Sequence, residues 1–258
     1  MPAEPVKKLI VNADDCNLTP GVTQAILDCH DRGILTSTTW MVNLPHDGKT
    51  VQAVKSKKNL GVGIHLNLTL GKPVSSPESV TSLLAEEGCF HKVGRQLETL
   101  PRAADVRAEY TAQIKKFQKV FGRLPTHLDT HHQVHDHPFY LAILEGISNT
   151  RNLPLRRSKL LAEKTAYDFH FTTTDFLFGD LNPAGYWRKE KLRAVLKDIP
   201  DGVSEIMCHP GKNDDALKSI SSFTTGREEE WALFANKHWR PLLTRQGVTL
   251  SHFGLCYT

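Results

Sequence analysis

Chemistry-bearing residues gather at four places in this chain, each inside or directly after a short apolar run. Asn12-Ala13-Asp14-Asp15 follows Leu9-Ile10-Val11, and His65 sits within Gly63-Ile64-His65-Leu66-Asn67. Five of the 13 histidines lie between His127 and His137, in a stretch opening His127-Leu128-Asp129-Thr130-His131-His132-Gln133-Val134-His135. Cys208-His209-Pro210-Gly211 follows Ile206-Met207.

Adjacent carboxylates beside a buried strand repel each other and lose hydration. A divalent cation relieves both costs, and the carboxylate that does not bind it is left to act as a general base. Taken singly, each Asp also reads as a turn former or helix cap. His65, flanked by Ile64 and Leu66, read alone is a core histidine. Strand alternation points His127, Asp129 and His131 to one side, and Asp129 can orient a ligating imidazole. His209, beside a stiff proline, is placed to donate a proton; in isolation it reads as a turn residue. Cys208 reads as a small buried hydrophobe. An Asp with two His leaves coordination positions for water and substrate, which is the equipment of metal-assisted hydrolysis. No GxGxxG follows the first apolar run, and GxxxxGK[ST], GxSxG and HExxH are absent.

These residues need strands to carry them. Leu9 to Val11 reads as a buried strand, and Thr19-Pro20 as a helix start with Thr19 as N-cap. Val22, Ala25, Ile26 and Cys29 then recur at helical spacing up to Gly33. Ile34 to Val42 and Leu60 to Asn67 read as strands, with a helix between them at Thr50 to Lys57. Residues 71 to 100 are broken by proline and glycine. Val106, Tyr110, Ile114, Phe117 and Phe121 mark one face of a helix from Ala103 to Phe121. Beyond it the pattern predicts strands at Thr126 to Thr130, Leu153 to Arg156, Val203 to Cys208 and Val248 to His252. Helices are expected at Pro138 to Ile147, Lys189 to Leu196 and Glu228 to Leu243, and a loop at 180 to 186. Strands alternating with helices imply a parallel sheet with helices outside, either a (β/α) barrel or a doubly wound sheet. Both collect ligands at the carboxyl ends of their strands.

With 258 residues, 40% hydrophobic and 23% charged, the chain can bury a large core and excludes disorder as its main state. We read it as one domain, residues 1–258. A net charge of +4 without a long basic run argues against nucleic acid. Five cysteines without a CxxC, and no apolar window long enough for a membrane span, are read as a cytoplasmic protein with no membrane partner. A homodimer is left open.

The same motifs give the chain its likeness. Ile10-Val11-Asn12-Ala13-Asp14-Asp15, Gly33-Ile34-Leu35-Thr36-Ser37-Thr38-Thr39, Gly63-Ile64-His65, Pro125 to His135 and Met207-Cys208-His209-Pro210-Gly211 occur in order. On them the sequence resembles the YdjC-like carbohydrate deacetylases, which include chitooligosaccharide deacetylases, from Leu9 to about His252. The resemblance implies a (β/α) barrel-like α/β fold related to NodB-type deacetylases. It implies one divalent ion, Mg or Zn, held by Asp15, His65 and His131. It makes Asp14 the general base and His209 the general acid, and Arg156 a residue that holds substrate or orients the base. The implied substrate is an N-acetylated amino sugar or a short chitooligosaccharide. Another amide or ester, or sugar binding without catalysis, is the rival reading. Related sequences commonly read Asp-Asp-Phe-Gly where this one has Asp14-Asp15-Cys16-Asn17. Asn17 can keep the turn, but an aromatic surface is lost.

Overall fold

The computed structural model describes residues 6–161, 168–179 and 186–257. The loop expected over 180 to 186 lies, Tyr186 apart, outside the described residues.

In chain order the elements are β1 (Lys7–Cys16), α1 (Pro20–Arg32), β2 (Ser37–Trp40), α2 (Gly48–Lys55), β3 (Gly61–Leu66), α3 (Val93–Glu98) and α4 (Ala103–Phe121). Then follow β4 (Leu128–Thr130), α5 (Pro138–Arg151), β5 (Phe176–Phe178), α6 (Lys189–Lys197), β6 (Gly202–Cys208) and α7 (Asp215–Lys218). The last are α8 (Thr225–Phe234), α9 (Trp239–Arg245), β7 (Val248–Ser251) and α10 (Phe253–Cys256). The strand path runs β4-β3-β2-β1-β6-β5, with β7 also on β1. It ends at β4 on one side and β5 on the other, so among the described residues the sheet is open. This corrects the expectation of a closed barrel of the TIM type, which needs eight strands joined edge to edge.

The chain divides into two compact units. One comprises Met1–Thr39, Gln52–Gly61 and Thr174–Thr258; the other comprises Trp40–Val51 and Val62–Thr173. In the first unit, β1 pairs in parallel with β6, Ala13 opposite Cys208, and β6 pairs with β5. Leu9, Ile10, Val11 and Ala13 are wholly buried, as a strand covered on both faces requires. Thr19 caps α1 by accepting the N–H of Val22 at 3.1 Å, with Pro20 in the first turn. Gly33 ends that helix where a Cβ would stand 1.7 Å from the Phe234 carbonyl oxygen, so only glycine fits. In the second unit, β3 pairs with β4 so that His65 lies opposite Asp129. The foreseen stripe of α4 is buried from Val106 to Phe121.

Two sequence expectations change, and one strand was not foreseen. The single helix expected from Glu228 to Leu243 is two, α8 and α9. Pro241 has no N–H for the Lys237 carbonyl and its ring would collide with it, so the helix restarts at Trp239. The strand expected at Leu153 to Arg156 reduces to one bridge, Leu155 to Leu128. Phe176–Phe178 forms a strand that the pattern did not reveal. No helix among the described residues is long and apolar enough to cross a membrane.

Candidate metal centre

In the first unit, the β1–β6 register carries Asp14 and His209 to the same end of the sheet, each one residue past the pair Ala13 and Cys208. Asp15 and Asn17 have positive φ, 66° and 76°. For a residue other than glycine the left-handed region costs about 1–2 kcal/mol, with Asp and Asn at the low end. The conformation has a use. Side chains alternate along a regular strand, and the left-handed residue interrupts that alternation between the two carboxylates.

Both carboxylates are buried and held. The Asn12 side-chain amide donates to Asp14 Oδ1 at 3.0 Å. Asp14 Oδ2 stands 3.8 Å from His209 Nε2, beyond direct hydrogen bonding. Arg227 donates to Asp15 Oδ2 at 2.6 Å, both side chains being nearly inaccessible. The His209 backbone N–H donates to Glu230 Oε2 at 2.6 Å, and the Trp187 N–H donates to Oε1 at 3.3 Å. Burial pushes the Glu230 carboxyl up to about 7, against those two hydrogen bonds and the Arg227 charge, which act to lower it. The Phe223 ring meets the His209 imidazole edge-on at 5.8 Å and stacks on Tyr186 at 3.9 Å.

In the second unit, His65 Nδ1 donates to Asp129 Oδ1 at 2.7 Å, and Arg156 holds Asp129 Oδ2 at 3.1 Å. Asp129 and Arg156 are wholly buried. Burial alone would raise the Asp129 carboxyl. The charges of His65 and Arg156 and the His65 hydrogen bond outweigh it and hold the carboxyl well below the usual carboxylate range. Asp129 therefore accepts the Nδ1 proton of His65, and in the neutral ring Nε2 would be left to present a lone pair. His131 Nδ1 stands 3.3 Å from that Nε2. Two nitrogens bound to one tetrahedral zinc would be separated by roughly the same distance, ~3.3 Å. Just past β3, the side chain of Gln113 accepts the Asn67 N–H at 3.0 Å and donates to the Asn67 carbonyl at 2.6 Å.

Past β4 the backbone turns left-handed at His132 and Gln133, with φ 56° and 49°. The turn ends strand alternation before His135. His132 Nδ1 lies 2.8 Å from Thr69 Oγ1, and His135 Nδ1 lies 2.6 Å from Thr130 Oγ1. His127 lies two residues before Asp129 on the same side of the strand, as alternation implied, beside Gly63 where Asp129 stands beside His65. Its ring packs against Gly63, where a Cβ would come within 2.4 Å of it.

Asp15, His65 and His131 each offer a ligand atom, and the three atoms lie within 4.8 Å of one another. Asp14, His65 and Asp129 form a second such group. These two groups are candidates for a divalent ion, and the residues fit one. One imidazole is fixed as a lone-pair donor by a buried carboxylate, a second imidazole nitrogen faces it, and a third ligand is anionic. Arg156, expected to hold substrate or orient the base, is buried against Asp129.

Arg227 and Glu230 contact the candidate site residues Asp15 and His209 and were not foreseen from the sequence. They sit in Arg227-Glu228-Glu229-Glu230, a charge run that reads as a solvated helix face. Glu228 and Glu229 are exposed, whereas Arg227 and Glu230, three residues apart, face inward. The only available signal was that a helical i, i+3 spacing puts those two on one side.

The chain is similar to known proteins over nearly its whole length. A family described as "YdjC-like protein" matches residues 8–245. A carbohydrate deacetylase of Thermoanaerobacter pseudethanolicus is 33% identical over 256 residues, 97% of this chain and 99% of that protein. A chitooligosaccharide deacetylase of Proteus mirabilis is 31% identical over 252 residues, 95% and 97% of the two chains. A crystal structure from Enterococcus faecalis V583, whose name proposes cellobiose-phosphate cleavage, superposes with TM-score 0.86 at 30% identity, covering 98% of this chain and 100% of that one. A family 4 carbohydrate esterase from Streptomyces lividans, solved with acetate, gives TM-score 0.51 at 10% identity over 95% and 91% of the chains. At that identity the likeness shows a common α/β fold and nothing finer.

Proposed function

The chain belongs to the YdjC-like family, and from that premise we propose that it is a metal-dependent carbohydrate deacetylase. We take its substrates to be N-acetylated amino sugars or short chitooligosaccharides. The convergence of Asp15, His65 and His131 on one another carries the reading. Relatives named as carbohydrate and chitooligosaccharide deacetylases support the substrate class. We further read residues 1–258 as a single catalytic domain working in the cytoplasm.

In this reading Asp15, His65 and His131 hold the ion. Two imidazole nitrogens favour zinc over magnesium, which prefers all-oxygen ligation. A divalent ion, when bound, polarises the acyl oxygen and acidifies a water. Asp14 takes the proton of the attacking water on Oδ2, while Asn12 steadies Oδ1. His209 Nε2, 3.8 Å from that oxygen, gives a proton to the departing nitrogen. The carbon–nitrogen bond breaks, and acetate and a free amine result. Asp129 and Arg156 work behind His65 and touch no reacting atom.

The test is acetate release from N-acetylglucosamine oligomers by purified protein, before and after chelation, with zinc or magnesium added back. Release that chelation abolishes and metal restores is expected. Undiminished release from metal-free protein would refute the scheme. So would cleavage of a phosphorylated disaccharide, the reaction named for the Enterococcus protein, without any acetate.

A further inference from the structure

The reading above assigns no task to α8, yet this helix turns two buried charged side chains inward. Arg227 grips Asp15, and Glu230, one turn later, takes the backbone N–H of the residue after β6. We infer that Glu230 is a positioning residue for the proton donor. By gripping the His209 N–H it fixes where the imidazole stands and which charge lies behind it.

The contact is demanding because both partners of Glu230 are donors, the N–H groups of His209 and Trp187. A carboxylate satisfies both through its two oxygens, with charge-assisted strength. Protonation gives one oxygen a hydrogen that meets no acceptor in this pair. The charged or titratable groups facing Glu230 are Arg227 on its own helix, Asp14 of β1, Tyr186, and Cys29 of α1. His209 follows β6. Arg227 favours the carboxylate, while burial and Asp14 oppose it, and the balance sits near neutrality. The sign follows. Below about 7 Glu230 is neutral and its grip is weak; as pH rises through about 7 it becomes a carboxylate and the grip tightens. A negative charge there also favours the protonated, donating imidazole.

This inference rests on the proposed deacetylase reading for its kinetic arm alone. Turnover and metal content of the wild type, Glu230→Gln and Glu230→Asp are measured across pH 5 to 9. Wild-type kcat should rise through about 7. Glu230→Gln should lose that limb, with kcat about 10- to 100-fold lower above it, KM and bound metal unchanged. Glu230→Asp should regain the limb in part. The His209 amide proton, followed by NMR, should titrate with a midpoint near 7 in the wild type and not in Glu230→Gln. An unchanged kcat and pH limb in Glu230→Gln, or a loss explained by lost metal, overturns the inference. If Glu230→Gln does not fold, Glu230→Asp and the wild-type amide titration decide the question. If the wild type releases no acetate at any pH, the deacetylase reading fails, and the amide titration still decides whether Glu230 grips His209.

Discussion

Each unit holds a buried arginine–carboxylate pair, and the two pairs are wired differently. Arg227 holds Asp15, itself a candidate ligand, at 2.6 Å. Arg156 holds Asp129 at 3.1 Å, and Asp129 in turn holds the candidate ligand His65 at 2.7 Å. In the proposed site the guanidinium and the cation would act on the same carboxylate in the first unit. In the second, an imidazole would stand between the ion pair and the metal. Burial is similar in both places, so any difference in behaviour should come from that one inserted ring.

The largest effect expected lies outside both pairs. Asp14→Asn keeps size and the Asn12 contact but removes the proton acceptor. It should lower kcat by about 10²–10⁴-fold with bound metal unchanged, measured by acetate release and metal analysis. Loss of metal in this variant would shift support to the second candidate group, Asp14 with His65 and Asp129.

The pairs themselves come next. Removing one partner of a buried ion pair strands the other and costs about 3–5 kcal/mol. Arg156→Met and Arg227→Met should both lose about that much stability by urea denaturation of metal-free protein. Added zinc should separate them. It can replace the guanidinium as the counter-charge of Asp15, so it should restore stability in Arg227→Met. It cannot do so for Asp129, so Arg156→Met should gain no more from zinc than the wild type gains. Equal rescue would erase the difference drawn between the pairs.

A smaller effect tests the inserted ring. Asp129→Asn leaves His65 in place but weakens the lock on its tautomer and its basicity. Metal affinity should fall about 10- to 100-fold, the usual consequence of losing the partner behind a ligating histidine. Competition titration against a zinc chelator measures it. Unchanged affinity would mean that Asp129 serves folding and not the ligand.

Legibility followed the reach of each interaction along the chain. Asp14-Asp15 and the run from His127 to His135 are local, and strand-end chemistry announced them. The Asp129–His65 link could be read because both residues lie in recognisable strand motifs. Arg227 and Asp15 are joined across |i−j| = 212, and nothing local in a charged helix marks a residue whose partner is so distant. The same limit applies to strands. The apolar runs of β1 and β6 lead into Asp and His motifs and are buried, whereas Phe176-Leu177-Phe178 is half-exposed and is a strand because β6 offers it an edge. Pro241 was legible and was overlooked.

The smallest effect separates conformation from chemistry at the end of β1. Asp15 and Asn17 share the left-handed region, at φ 66° and 76°. Asp15 carries a carboxylate in a candidate metal group. The Asn17 backbone N–H donates to Thr23 Oγ1 at 3.0 Å, and glycine keeps that N–H. Glycine also tolerates the positive φ without strain, but it loses more conformational entropy on folding. The two effects oppose each other and each is small. Asn17→Gly should therefore change stability by less than about 1 kcal/mol in urea denaturation and leave deacetylation intact. Asp15→Gly, in the same backbone conformation, should keep the turn and lose the metal. If Asn17→Gly abolished metal binding as well, the Asn17 side chain would have a task at the site, and the division between a residue kept for its shape and a residue kept for its charge would fail.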